Sequence, residues 1–321
     1  MSAPPRIAAV IPTQDRAELL RAALDSLARQ TLEPGAFEVV VVDDGSADAT
    51  SAVVASEADR MTLRYHRLPR SGISAAKNLG LFAARAPVVL FFDDDDVAHP
   101  DLLRQHLVAH DEHPDPAVAV LGHTAWSPRL HVSELMHYVT DVGRFLFDYA
   151  AADQGAVLDH TFFWGGRASC KRMFLAAEGI FDPSFRFGAE DIELGYRLSG
   201  RGFKVVYNAR ALSYMNRCVT YAEFGRRCER QGRSQYHFGH VLHPGDDGVR
   251  RYCGLDGATE RWAAAAPHIG EWATRVAELE RMLDAADAPP ATEQVRAELH
   301  RLYGDTFRAL TAKGIVEAGG E

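Results

Sequence analysis

Four consecutive carboxylates, Asp93-Asp94-Asp95-Asp96, follow directly on five apolar residues, Val88-Val89-Leu90-Phe91-Phe92. An apolar run of that length reads as a buried strand, and acids crowded at its end repel one another, so a bound cation is the simplest reason to keep them together. Carboxylate oxygens are hard ligands that suit Mg²⁺ or Mn²⁺. Side chains alternate along a strand, which predicts Asp93 and Asp95 on one face as a D-x-D metal site and Asp94 and Asp96 on the other. Asp43-Asp44-Gly45-Ser46 closes another apolar run, and Glu190-Asp191 opens a segment of helical pattern. Each has an ordinary alternative: a solvated capping turn, a glycine turn, or N-terminal helix acids favoured by the macrodipole. What sets the alternatives back is the set as a whole.

The elements that must position these residues alternate. A strand at Ile7–Ile11 leads into a helix over Asp15–Arg29, with Asp15 as its expected cap, and a strand at Phe37–Val42 is followed by a short helix from about Ala47. A third strand, Leu63–Arg67, precedes a helix through Lys77-Asn78 to about Ala86, and then comes the apolar run before Asp93. Right-handed crossovers fold such a β-α-β-α-β-α-β series into a largely parallel sheet, and ligands bind beyond the carboxyl ends of its strands. Pro12-Thr13, Asp43-Asp44, Lys77 and Asp93 to Asp95 are therefore expected to converge.

Beyond lie a helix from Pro100 to about Glu112, a strand at Ala117–Leu121 and an aromatic stretch, His131–Asp159, read as helix and loop shaping a pocket. Thr161–Ser169 reads as a strand whose glycine pair allows close backbone approach; Asp191–Ser199 reads as a helix and Lys204–Tyr207 as a strand. After Tyr221 the pattern is mostly helical, broken at Ala288-Pro289-Pro290-Ala291. The expected class is α/β: a Rossmann-like, mostly parallel sheet flanked by helices, occupying residues 1–240 (halves 1–127 and 128–240), with a helical C-terminal extension over 241–321 that offers a surface for homodimerisation.

The 321 residues are 47% hydrophobic and 25% charged, an ordinary soluble composition, and a net charge of −9 argues against nucleic acid or an anionic membrane as the main partner. Cys170, Cys218, Cys228 and Cys253 have neither metal-ligand nor disulfide-framework spacing. With no signal-peptide pattern and no apolar run of membrane-spanning length, the expected location is cytoplasmic.

V-I-P-T-Q-D-R-A-E-L-L, V-V-V-D-D-G-S, G-I-S-A-A-K-N-L-G and F-F-D-D-D-D resemble the successive signatures of GT-A family 2 inverting glycosyltransferases, over Ile7 to about Gly239. F-G-A-E-D-I-E-L-G-Y-R-L-S-G-R-G, from Phe187 to Gly202, resembles that family's acceptor-side segment. The resemblance implies a GT-A fold and transfer of a sugar from a nucleotide-diphospho-sugar, a UDP-sugar, to a hydroxyl of a small molecule, a glycan or another acceptor. It implies that Pro12, Thr13, Asp15, Asp44, Lys77, Asp93 and Asp94 line the donor. In that scheme Asp44 faces the base, Lys77 neutralises the diphosphate and Asp93 with Asp95 holds Mg²⁺ or Mn²⁺. Asp191 is then the general base, and Trp164, Gly165, Gly166 and Glu190 bind the acceptor.

Two positions depart from the family pattern. Met215 stands where a further, metal-ligating histidine is common, which leaves His237, His240 and His243 as substitutes, or a metal held by aspartate, diphosphate and water alone; Arg167 stands where asparagine is frequent. Arg226, Arg227, Arg230 and Arg233 read either as a lid over a diphosphate or as a solvated helix face. Asp93 to Val97 also fits the D-x-D-x-[TV] motif of haloacid-dehalogenase-like phosphatases, with Asp93 as nucleophile and Asp246-Asp247 as late acids, but this leaves the earlier signatures unexplained. A non-catalytic sugar-nucleotide-binding protein is the other alternative, and an oxidoreductase is disfavoured because no G-x-G-x-x-G follows the first strand.

Overall fold

Period-two apolar runs build the centre of the sheet. In the computed structural model, which describes residues 4–284 and 289–320, β1 (Ile7–Thr13), β2 (Phe37–Asp43) and β4 (Val88–Phe91) are buried throughout. Their side chains divide between two cores: Ala8, Val10, Val40, Val42, Val89 and Phe91 fill one, while Ile7, Ile11, Val39, Val41, Val88 and Leu90 fill the other. Continuous apolar strands of this kind are what a sheet covered on both faces requires.

α1 (Ala17–Leu27), α2 (Thr50–Glu57) and α3 (Ile73–Ala83) alternate with these strands and with β3 (Leu63–Arg67). After β4 come β5 (Asp96–Ala98), α4 (Leu102–Glu112) and β6 (Val118–Trp126). The chain then passes through α5 (Glu134–His137), β7 (Val157–Leu158), β8 (Ala168–Lys171), α6 (Arg172–Glu178), α7 (Glu190–Ser199) and β9 (Lys204–Met215). The sheet order is β3-β2-β1-β4-β8-β6-β9-β5, with β7 also pairing β9. β1 through β4 pair in parallel, as the alternating pattern predicts, whereas β8 runs antiparallel to both β4 and β6, so the sheet is mixed. β1 lies between β2 and β4, which makes the carboxyl ends of β1 and β4 the point where strand order reverses and a crevice forms.

The chain forms two compact units: residues 1–131 with 149–217, and residues 132–148 with 218–321. The first contains the whole sheet. The second contains α5, α8 (Tyr221–Tyr236), α9 (Asp247–Tyr252), α10 (Ala258–Ala265), α11 (Ile269–Asp284) and α12 (Pro289–Gly320). Segment 132–148, expected in the acceptor half, thus belongs to the helical unit, and so does α8, which begins before the expected boundary at residue 240. The reason is packing. A Cβ on Gly232 would lie 2.1 Å from Thr311 O and one on Gly314 2.0 Å from Glu229 O, so α8 and α12 touch backbone to backbone. Tyr138 and Phe145 pack, tilted or edge-on, among Phe224, Tyr303 and Phe307 in the same unit. α12 starts at Pro289, a residue suited to a first helical turn; Ala288, the first residue of the expected break, lies outside the described residues. No helix among the described residues is long and apolar enough to cross a membrane.

Candidate active site

β4 ends at Phe91, before the first aspartate, and Asp93 to Asp96 form a turn in which Asp96 N donates to Asp93 O at 3.3 Å. Strand alternation stops with the strand, so the acids sort differently from the expected pairs. Asp94 and Asp95 share Arg16, whose Nη1 lies 2.9 Å from Asp94 Oδ1 and 3.4 Å from Asp95 Oδ2. Arg217 Nε donates to the same Asp95 Oδ2 at 3.0 Å, and Arg167 Nη2 donates to Asp93 Oδ2 at 3.1 Å. Asp96 is completely buried and accepts from Ser213 Oγ at 2.9 Å; burial pushes its pKa up to about 8, with the Arg167 charge pulling the other way. Burial likewise lifts Asp94 to about 6 against the pull of Arg16. Three guanidinium groups therefore answer the repulsion that made a bound cation the simplest reading of this run.

A divalent cation still fits. Among the described residues nothing donates a hydrogen bond to Asp93 Oδ1 or Asp95 Oδ1, and two carboxylates completed by water and substrate phosphates are how Mg²⁺ is commonly held. A fuller protein cage is missing: no cluster of three or more His, Cys, Asp or Glu suited to a metal occurs among the described residues. Met215 is buried and pairs in register with Asp96 and Trp126, as an apolar thioether should. Asn216 N donates to Asp95 O at 2.7 Å, which brings the end of β9 to the acidic turn and delivers Arg217 there. His237, His240 and His243 belong to the other unit.

At the carboxyl end of β1, Thr13 Oγ1 donates to Asp94 Oδ2 at 2.8 Å, joining the ends of β1 and β4; Pro12, one residue earlier, is buried in β1 in register with Val42. Both Asp44 oxygens accept backbone N–H groups, Ser71 at 2.6 Å and Gly72 at 2.9 Å, and each oxygen keeps a second lone pair. Asp15 does not cap α1. It adopts a φ of 52° and accepts from Ala47 N at 2.7 Å and from Arg70, while the N–H of Ala17 goes to Asp48 Oδ2 at 2.9 Å. The first helix turn is thus satisfied by the neighbouring loop.

On the opposite side, α7 opens with Glu190, Asp191 and Glu193, where the helix dipole favours negative charge. Ala189 precedes them at φ 64°, a left-handed conformation that non-glycine residues seldom adopt. Lys77, expected against a diphosphate, has its ammonium 2.6 Å from Glu190 Oε1, with only 3% of Lys77 and 4% of Glu190 exposed. Burial works against the Lys77 charge, but Glu190, Asp191 and Asp93 outweigh it and its pKa is raised. Glu190 Oε2 is buried with no hydrogen-bond partner among the described residues. Asp191 accepts Gly165 N at 2.7 Å and Ile192 N at 2.8 Å; burial and then the Glu190 charge push its pKa up to about 6, while Lys77 and these N–H groups hold it down. Such a carboxylate is ionised at neutral pH and more basic than an ordinary aspartate, as a proton acceptor should be.

Between the two sides runs the glycine pair. The expected strand over Thr161–Ser169 is mostly turn, with β8 starting only at Ala168, because Arg167 N bonds back to Trp164 O at 3.2 Å. A Cβ on Gly166 would lie 1.9 Å from Asp93 Oδ2, and one on Gly165 would lie 2.5 Å from Lys77 Nζ and 3.1 Å from Asp191 Cβ. Bare backbone here separates the acidic turn from α7. Trp164 is half-buried against Phe162 and Tyr149, with its indole N–H on Thr161 O at 2.9 Å. Arg226, Arg230 and Arg233 are exposed on α8, with Arg233 paired to Glu317, which suits the solvated-face reading.

Sequence reasoning passed over Arg16 and Arg217. Arg16 sits just past the carboxyl end of β1, a signal that was available. Arg217 was hidden because β9 was expected to stop at Tyr207 and instead runs to Met215.

The signature described as "Glycosyl transferase family 2" matches residues 8–174, more than half of the chain. Validoxylamine A glucosyltransferase of Streptomyces hygroscopicus subsp. limoneus is 37% identical over 221 residues, covering 62% of this chain and 49% of that protein. Chondroitin synthase of Escherichia coli is 28% identical over 240 residues, covering 63% of this chain and 34% of that one. The chain thus spans about half the length of the first of these relatives and less of the second. Among solved structures, a mannosyltransferase of Pyrobaculum calidifontis in complex with GDP-Man and Mn²⁺ superposes with a TM-score of 0.64 at 21% identity, covering 99% of this chain and 88% of that one. Staphylococcus aureus TarS 1–349 in complex with UDP gives 0.56 at 16% identity, covering 98% and 92%. At those identities the likeness is one of fold. The family match embraces the strand and helix units before Asp93 that a phosphatase assignment leaves unexplained.

Proposed function

The chain belongs to glycosyl transferase family 2, and from that premise we propose that it is an inverting glycosyltransferase acting on a nucleotide-diphospho-sugar, a UDP-sugar, with Asp191 as general base and the Asp93-to-Asp95 turn at the diphosphate. The observation that carries the reading is the glycine pair: Gly166 backs onto Asp93 while Gly165 N holds Asp191, so a donor-side and an acceptor-side carboxylate flank one strip of backbone.

Inversion needs a base on the side of the anomeric carbon opposite the departing diphosphate. Asp191 takes the proton of the acceptor hydroxyl as its oxygen attacks, and the N–H groups of Gly165 and Ile192 fix the carboxylate in orientation. Lys77 balances Glu190, and Glu190 Oε2 retains an acceptor site for a second hydroxyl. Asp44, fixed by the Ser71 and Gly72 amides, accepts from a base N–H, which favours uracil. Asp93 and Asp95 would hold Mg²⁺ or Mn²⁺, which would supply stabilisation of the charge developing on the leaving diphosphate. Support for a hexosyl donor and a metal comes from the glucosyltransferase relative and from the Mn²⁺-containing fold neighbour.

Calorimetric titration with UDP, GDP and UDP-glucose, with and without Mn²⁺, tests this reading. UDP is expected to bind more tightly than GDP and more tightly still with Mn²⁺; failure of every nucleotide diphosphate to bind refutes it.

A further inference from the structure

Arg217 and Arg16 meet on one oxygen. Asp95 Oδ2 accepts Arg217 Nε at 3.0 Å and Arg16 Nη1 at 3.4 Å, and the backbone bond from Asn216 N to Asp95 O pins the Arg217 backbone beside the acidic turn. The Arg217 side chain is 31% exposed, and its Nη1 and Nη2 groups donate to no atom among the described residues. Arg16, 40% exposed, uses only Nη1 among the described residues, on Asp94 and Asp95. Arg167, by contrast, is only 10% exposed along its side chain, with Nε on Thr124 Oγ1 and Nη2 on Asp93 Oδ2. Two guanidinium groups at the carboxyl end of β4 are therefore held in place by a carboxylate and keep unused donors. A planar fork in that state binds phosphate oxygens bidentately.

We propose that Arg217, assisted by Arg16, binds the leaving diphosphate directly. Part of the leaving-group charge is then met by guanidinium. The proposal rests on the glycosyltransferase reading above and adds a property that a metal-only site lacks: preference for diphosphate over monophosphate persists without a divalent ion. Asp95 then has two duties, steadying Arg217 through Oδ2 and leaving Oδ1 for the cation.

The test is calorimetry with UDP and UMP in EDTA on the full chain, for wild type, Arg217→Met and Arg217→Lys. Wild type is expected to favour UDP over UMP by at least tenfold. Arg217→Met should lose most of that ratio with UMP affinity unchanged, and Arg217→Lys should recover part of it. Circular dichroism and melting temperature check that each variant is folded, and Arg16→Met, which removes the second guanidinium, supplies an independent lowering of the same ratio should Arg217→Met fail to fold. An unchanged UDP/UMP ratio in folded Arg217→Met, or in folded Arg16→Met where Arg217→Met does not fold, overturns the proposal while leaving the glycosyltransferase reading intact. Wild type that binds no nucleotide in EDTA but binds UDP with Mn²⁺ also overturns it. Wild type that binds no nucleotide under either condition refutes the underlying reading instead.

Discussion

Replacing Gly166 with alanine puts a methyl group 1.9 Å from Asp93 Oδ2, 2.3 Å from its Cγ and 2.4 Å from Oδ1. Ordinary carbon contacts lie at roughly 3.5 Å, so the carboxylate or the glycine backbone must retreat by more than about 1 Å. Asp93 cannot move freely: Arg167 Nη2 holds it, and its own N–H bonds to Gly166 O at 3.3 Å. Overpacking of this kind costs about 1–3 kcal/mol, which in a unit of this size lowers the melting temperature by roughly 2–10 °C. The functional loss is larger, because a displacement of about 1 Å at a reacting group costs on the order of 100-fold in rate. Thermal unfolding, UDP calorimetry with Mn²⁺ and UDP-sugar turnover measure the three effects. Asp93→Ala supplies the control: it removes the three atoms that the added methyl meets first, so Gly166→Ala should cost less stability in that background, a coupling typical of residues in contact. Equal destabilisation in both backgrounds, or wild-type turnover in Gly166→Ala, refutes the reasoning.

The pH profile of turnover should fall on the acid side near pH 6, as Asp191 takes up its proton. Because its folded pKa lies above that of the unfolded chain, ionising Asp191 also costs stability between about pH 4 and 6, and a pH series of melting temperatures reads the sign. Lys77→Met removes a positive charge that lowers the Asp191 pKa, so the acid limb should move to higher pH; breaking the buried pair with Glu190 should also cost about 3–5 kcal/mol by denaturant titration. Ala189→Gly, at φ 64°, should stabilise the protein by up to about 1 kcal/mol in the same assay, since glycine takes that backbone conformation freely. The Arg6–Asp111 ion pair, with side chains 55% and 64% exposed, should matter little: Asp111→Ala should stay within about 0.5 kcal/mol of wild type.

The parallel half of the sheet was legible because its strands are short apolar runs ending in Pro-Thr, Asp-Asp-Gly and Asp-Asp, where period and punctuation agree. The acidic turn was located from sequence but its geometry was not. Whether Asp93 to Asp96 continue the strand depends on where β4 stops, and the partners that decide which acids share a face, Arg16, Arg167 and Arg217, come from three distant stretches. Lys77 shows the same limit. A lysine opening a helix near a sheet edge reads as a phosphate ligand, and only the fold reveals that Glu190, far along the chain, claims its ammonium. β8 was misplaced because the aromatic and glycine run before Arg167 imitates strand composition while the backbone there turns.

Segment 132–148 leaves the first unit between two of its own stretches and completes the second. No single cut therefore yields either unit whole. A fragment ending at residue 217 would keep Leu135, Met136, Tyr138 and Val139 but lose Tyr303 and Phe307, the rings that Tyr138 and Phe145 pack against, leaving an apolar strip bare to water. During synthesis the same strip waits, unsheltered, until α12 has been made. Dissecting this enzyme calls for grafting a polar loop in place of 132–148, and its maturation in a cell is tied to the synthesis of α12.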